Sequence, residues 1–112
     1  MRRNQLLISQ PYPVERALKA VGINLRTARI RRGLTRAEVA QKIGTGLRAV
    51  MDAERGKPST GVVVYAALLW LYDLLPAFED VANPLKDAHG LAMARRREPV
   101  RARKMRGLSN DF

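Results

Sequence analysis

Leu34-Thr35-Arg36-Ala37-Glu38-Val39-Ala40-Gln41-Lys42-Ile43-Gly44-Thr45-Gly46-Leu47-Arg48-Ala49-Val50-Met51-Asp52-Ala53-Glu54-Arg55-Gly56 is the stretch whose reading decides the fold. Thr35 is a good helix N-cap and Glu38 follows it at capping-box spacing, so a helix begins at Arg36. Val39, Ala40 and Ile43 recur at helical spacing and give that helix one apolar face. Gly44 supplies the left-handed residue that ends it. After the Gly-Thr-Gly turn, Val50 and Ala53 continue the buried face on a second short helix. Leu47, Arg48, Met51, Asp52 and Arg55 are then directed outward.

Upstream of this pair, Leu18, Val21, Leu25, Ala28 and Ile30 form an apolar stripe, with Gly22 a weak point. They predict a helix from Val14 to about Arg32, ended by Gly33. Arg26, Arg29, Arg31 and Arg32 crowd its C-terminal end, where the helix dipole favours cations. Pro11 and Pro13 set off an N-terminal arm, residues 1–13, whose Leu6-Leu7-Ile8 reads as an edge strand or as a patch that packs on a neighbour.

Downstream, Lys57-Pro58-Ser59-Thr60-Gly61 is a connecting loop in which Ser59 or Thr60 can cap the next helix. That helix, 62–72, is apolar on every side, and such a helix needs cover all round. The short chain has little to offer on the far side, so a second copy is the economical cover. A homodimer is expected through Tyr65, Leu69, Trp70, Tyr72, Leu75 and Phe78, with Leu74 and Val81 nearby; burial beneath the C-terminal helix is the competing reading. Asn83-Pro84 marks a break, followed by a weak helix through Leu85, Ala88, Leu91, Ala92 and Ala94, interrupted at His89-Gly90. Beyond Arg95 the chain is too basic and polar to fold alone and reads as a tail. The expected division is an arm (1–13), a helical domain with dimerisation helices (14–82) and a C-terminal extension (83–112).

The formal net charge of +11 on 112 residues exceeds what solubility requires and favours an anionic partner such as nucleic acid. It is unevenly spread: residues 1–61 carry thirteen Lys/Arg against four Asp/Glu, residues 62–94 one against four, and residues 95–112 seven against two. Two basic regions therefore flank an acidic, apolar one. There is no cysteine, hence no disulfide framework and no thiolate metal site. No metal or cofactor is expected, since the lone His89 has no partner at ligand spacing. No signal-peptide core or membrane span is legible, which leads to the expectation of a cytoplasmic protein. No catalytic constellation appears, so an enzyme is not expected.

Ala40 at the fifth place of a motif beginning at Arg36, Gly44 at the ninth and Val50 at the fifteenth resemble the helix-turn-helix of the phage-repressor (Cro/C1, or XRE) family. The flanking Gly22-x-x-Leu25-Arg26-x-x-Arg29-x-x-Arg32-Gly33-Leu34-Thr35 and Glu54-Arg55-Gly56-Lys57-x-Ser59 are similar to that family too, over residues 20–72 in all. The resemblance implies an all-α, five-helix phage-repressor-like domain that binds an inverted-repeat operator in double-stranded DNA as a dimer. It also implies an ion pair between Arg29 and Glu54, set against the alternative of two solvated surface residues. Backbone phosphates would meet Thr45, Gly46 and the amides that follow, with Arg36, Arg55 and Lys57 on either side. Base-reading positions fall on Leu47, Arg48 and Asp52, with Met51 beside them. Arg48 suits guanine, Asp52 suits cytosine N4, and Leu47 or Met51 suits a thymine methyl. Leu47 departs from the family, where many members carry a polar group.

The Ser59-Thr60-Gly61-Val62 helix start, Leu68-Leu69-Trp70, the Asn83-Pro84 break and the basic tail ending Asn110-Asp111-Phe112 make the chain most similar to the HipB-like antitoxins. That likeness implies an autoregulating repressor that also binds a HipA-like Ser/Thr kinase toxin. A stand-alone regulator and a small basic RNA-binding protein are the alternatives. The latter usually needs exposed aromatics for stacking, and those of this chain lie mostly in apolar context.

Overall fold

The computed structural model describes residues 4–98, and within them the protein is all-helical, with no strand. The α-helices are α1 (Gln5–Ile8), α2 (Tyr12–Arg31), α3 (Arg36–Ile43), α4 (Leu47–Glu54), α5 (Val62–Leu71), α6 (Leu75–Glu79) and α7 (Ala88–Arg97), with a 3-10 turn at Pro84–Lys86. The chain divides into two compact units between Phe78 and Glu79.

Several boundaries differ from the sequence expectation for local reasons. Leu6-Leu7-Ile8 is helical, not an edge strand: the Asn4 side chain accepts from the Leu6 amide and caps α1. Pro13 does not end the arm but sits in the first turn of α2, where its missing N–H removes no helical hydrogen bond. Neither Ser59 nor Thr60 caps α5; Gly61 is its N-cap, without a side-chain hydrogen bond. In the second unit His89-Gly90 does not interrupt a helix. Asp87 starts α7 there by accepting from the Gly90 amide at 2.9 Å, and α7 continues past Arg95 to Arg97. The rest of the expected tail, 99–112, lies outside the described residues, as do residues 1–3 of the arm.

In the first unit one chain-reversal device is used four times. A residue in left-handed conformation follows the helix end, and the next amide reaches back five residues: Leu34 to Arg29, Thr45 to Ala40, Lys57 to Asp52 and Leu74 to Leu69. The left-handed residues are Gly33, Gly44, Gly56 and, without the freedom of glycine, Asp73 (φ 61°). α3 opens with both arms of the expected capping box, the Thr35 hydroxyl accepting from the Glu38 amide and the Glu38 carboxylate from the Thr35 amide.

These turns stack α3 on α4, bring α4 against α2, and set both α3 and α4 against α5. Leu25 and Ala28 of α2, Val39 and Ala40 of α3, Val50 and Ala53 of α4, and Leu68 and Tyr72 of the α5 region form the core. The buried face of α2 is Gly22, Leu25, Ala28 and Arg29; Val21 and Ile30 of the expected stripe are exposed. The shift has a steric cause. A Cβ on Gly22 would lie 2.5 Å from the Glu54 carbonyl oxygen, and one on Gly56 would lie 2.6 Å from that of Leu18, so α2 crosses the end of α4 backbone to backbone. Gly22, read as a weak point, is the contact point of two helices.

Candidate functional site

Leu47, Arg48 and Arg55 of the predicted outward set are exposed, whereas Met51 and Asp52 are only partly so. The difference follows from the next turn. The Asp52 carbonyl accepts the Lys57 amide at 3.0 Å, and the Asp52 carboxylate lies 3.7 Å from Lys57 Nζ with 15% of its side chain exposed. Asp52 and Lys57 thus face each other across the end of α4. Arg48 and Arg55, about two helical turns apart, make no ion pair among the described residues, and this spacing puts Arg55, the C-cap of α4, on the side of Arg48. Gly46 before α4 is exposed, no side chain caps the helix there, and a Cβ on Gly46 would meet nothing within 4 Å. The start of α4 therefore carries no side-chain cap, and the space beside Gly46 is open. Thr45 is half-buried beside it.

Behind this face lies a buried charge cluster. Arg29 Nε donates to Glu54 Oε2 at 2.7 Å and Nη2 to Oε1 at 3.1 Å, while Nη1 donates to the Leu34 carbonyl at 2.9 Å. Both residues are buried, so they are not a solvated surface pair. The hydrogen bond to Glu54 holds Arg29 above its ordinary pKa, against the opposing effect of burial. Arg36 also turns inward: its Nε donates to Glu54 Oε1 at 3.0 Å, although 41% of its side chain stays exposed. Nothing in the sequence spacing pointed to this third member, because Arg36 and Glu54 meet only once α3 and α4 are stacked.

Arg32 donates to the Ala28 and Tyr72 carbonyls, at 2.9 and 2.7 Å, and its guanidinium lies 5.3 Å from the Tyr72 ring centre. Tyr72, expected at a dimer interface, is 1% exposed and belongs to the core of the single chain. Its hydroxyl is buried without a hydrogen-bond partner among the described residues, and burial pushes its pKa up to about 12. Of the other expected interface residues, Trp70 is 63% exposed, while Tyr65, Leu69, Leu75 and Phe78 are partly buried; Val62, Val63 and Leu74 add to the uncovered apolar surface.

In the second unit, Lys86 and Asn83 both donate to the Asp80 carboxylate and hold it below the usual carboxylate range. His89 is exposed and lines an open hollow with Met93, Arg96 and Arg97. Among the described residues no group of three His, Cys, Asp or Glu side chains is placed to hold a metal ion, and no helix is long and apolar enough to cross a membrane. Compared with known proteins, the chain matches no family model, no curated protein and no solved structure.

Proposed function

We propose that this protein is a sequence-specific, double-stranded-DNA-binding transcriptional repressor in which α3, the Gly44-Thr45-Gly46 turn and α4 form a phage-repressor-like helix-turn-helix. The observation that carries the reading is the outer face of α4. Two cations with no acidic partner among the described residues, Arg48 and Arg55, are exposed together with Leu47, next to a helix start that has no side-chain cap, the kind of end that favours an anion. In this reading Arg48 reads guanine, Leu47 and the edge of Met51 meet a thymine methyl, and Arg55 and the amides after Gly46 bind phosphate. Lys57 and Asp52 enter as a neutral pair, so Asp52 reaches a base only by giving up Lys57.

Selection of bound duplexes from a random pool, followed by titration of the best site, tests this. Arg48→Ala is expected to cost roughly 1 to 3 kcal/mol on the selected site and to relax preference at one position. Arg55→Ala is expected to weaken selected and random duplexes alike and to lower the salt slope by about one. Equal losses on both duplexes for Arg48→Ala would make it a phosphate contact. The likeness to HipB-like antitoxins extends the proposal to an autoregulating antitoxin of a HipA-like kinase toxin. Co-purification with the product of an adjacent kinase-like reading frame tests that part; without such a frame or product the stand-alone regulator stands.

A further inference from the structure

One carboxylate, that of Glu54, serves two guanidinium groups with different fates. Arg29 is buried and spends Nε, Nη1 and Nη2 on Glu54 and the Leu34 carbonyl, so none of its nitrogens is left for a ligand. Arg36 commits only Nε, to Glu54 Oε1, and is the partly exposed member of the cluster. Its two Nη groups make no hydrogen bond among the described residues. Two cations on one anion leave one unit of positive charge uncompensated, and the cluster reaches solvent through Arg36. A long arginine side chain free in solvent loses rotamer freedom when it binds an anion; one already gripped by a buried carboxylate has lost much of it on folding.

We propose that Glu54 is a positioning residue for phosphate binding: by holding Arg36 at its Nε, it presents the two Nη groups as a preset fork for a backbone phosphate of duplex DNA. This rests on the DNA-binding reading above and goes beyond it, because it assigns to a buried acidic side chain a favourable role in binding a polyanion. Charge counting predicts the opposite. Neutralising Glu54 makes the protein more positive, which by counterion release alone strengthens duplex binding.

The test is an anisotropy titration of a labelled mixed-sequence duplex with the full chain at several salt concentrations, comparing the unmodified protein, Glu54→Gln, Arg36→Ala and the double variant. Glu54→Gln is expected to bind about tenfold more weakly, the scale of one charge-assisted hydrogen bond. The double variant should bind no more weakly than Arg36→Ala alone, a coupling that loss of stability by itself does not produce. Equal or tighter binding by Glu54→Gln, or independent losses in the double variant, would overturn the positioning role while leaving DNA binding intact. Failure of the unmodified chain to bind any duplex would overturn the DNA reading and this inference with it. If Glu54→Gln is unfolded at the assay temperature, Arg36→Lys decides: it keeps the charge but lacks the fork, so a loss similar to that of Arg36→Ala supports the role and unchanged binding refutes it.

Discussion

At the scale of single residues, Tyr72 and Glu54 show how differently two buried polar groups behave. Glu54 is matched on both oxygens, and removing Arg29 leaves Oε2 without its donor and the buried carboxylate held by the partly exposed Arg36 alone. Arg29→Ala is accordingly expected to destabilise the first unit by about 3 to 5 kcal/mol, read from denaturant midpoints; a change within the range of an exposed pair would contradict the burial. The Tyr72 hydroxyl has no partner to lose among the described residues. Tyr72→Phe is therefore expected to leave stability at neutral pH unchanged or slightly raised. The same residue sets an alkaline limb. Its folded pKa lies above the unfolded value, so its contribution is fully present below about pH 10 and is lost as pH rises toward about 12. Stability measured across that window should fall more steeply in the unmodified chain than in Tyr72→Phe, and parallel curves would show that Tyr72 ionises as freely folded as unfolded.

At the scale of elements, one helix crossing is made by close backbone contact. α2 crosses α4 at Gly22, where a methyl group would press on the Ala53 and Glu54 carbonyl oxygens. Gly22→Ala gains helix propensity in isolation, yet in this crossing it is expected to destabilise by about 1 to 3 kcal/mol. A melting temperature equal to or above that of the unmodified chain would mean that the helices separate without cost. The capping box at the start of α3 adds an acid-side effect. The Thr35 amide, and then its side chain, holds the Glu38 carboxyl below its ordinary range, so the cap contributes above the unfolded carboxylate pKa and is lost as pH falls through the lowered one.

For the whole molecule, the uncovered apolar surface and the charge pattern make separate predictions. α5 leaves Val62, Val63 and Trp70 exposed in the single chain, and Trp70 is the chain's one tryptophan. If a second copy covers this face, raising the concentration should shift Trp70 emission to the blue and sedimentation should give a dimer. Two recognition helices would then select half-sites about 34 to 36 Å apart. A monomer with unchanged emission at micromolar concentration would contradict that assembly. Residues 99–112 hold four of the seven basic residues that follow Ala94. Their deletion is expected to lower affinity for any duplex and to flatten its salt dependence; an unchanged slope would assign them no part in DNA binding.

The helix pair was legible because its determinants are local. A cap box, a left-handed glycine and apolar residues at helical spacing each act within a few positions, and Thr35, Gly44, Val39, Ala40, Val50 and Ala53 all take the places that spacing predicts. The Arg29–Glu54 pair was reached through family likeness, not through spacing. What tertiary structure alone decided are the long-range meetings. They turned Gly22 from a weak point into a crossing, took Tyr72 into the core, drew Arg36 onto Glu54 and set Lys57 against Asp52. A periodic pattern says which side of a helix is apolar, but which neighbour covers that side, and which charges meet behind it, depends on how helices far apart in sequence are stacked.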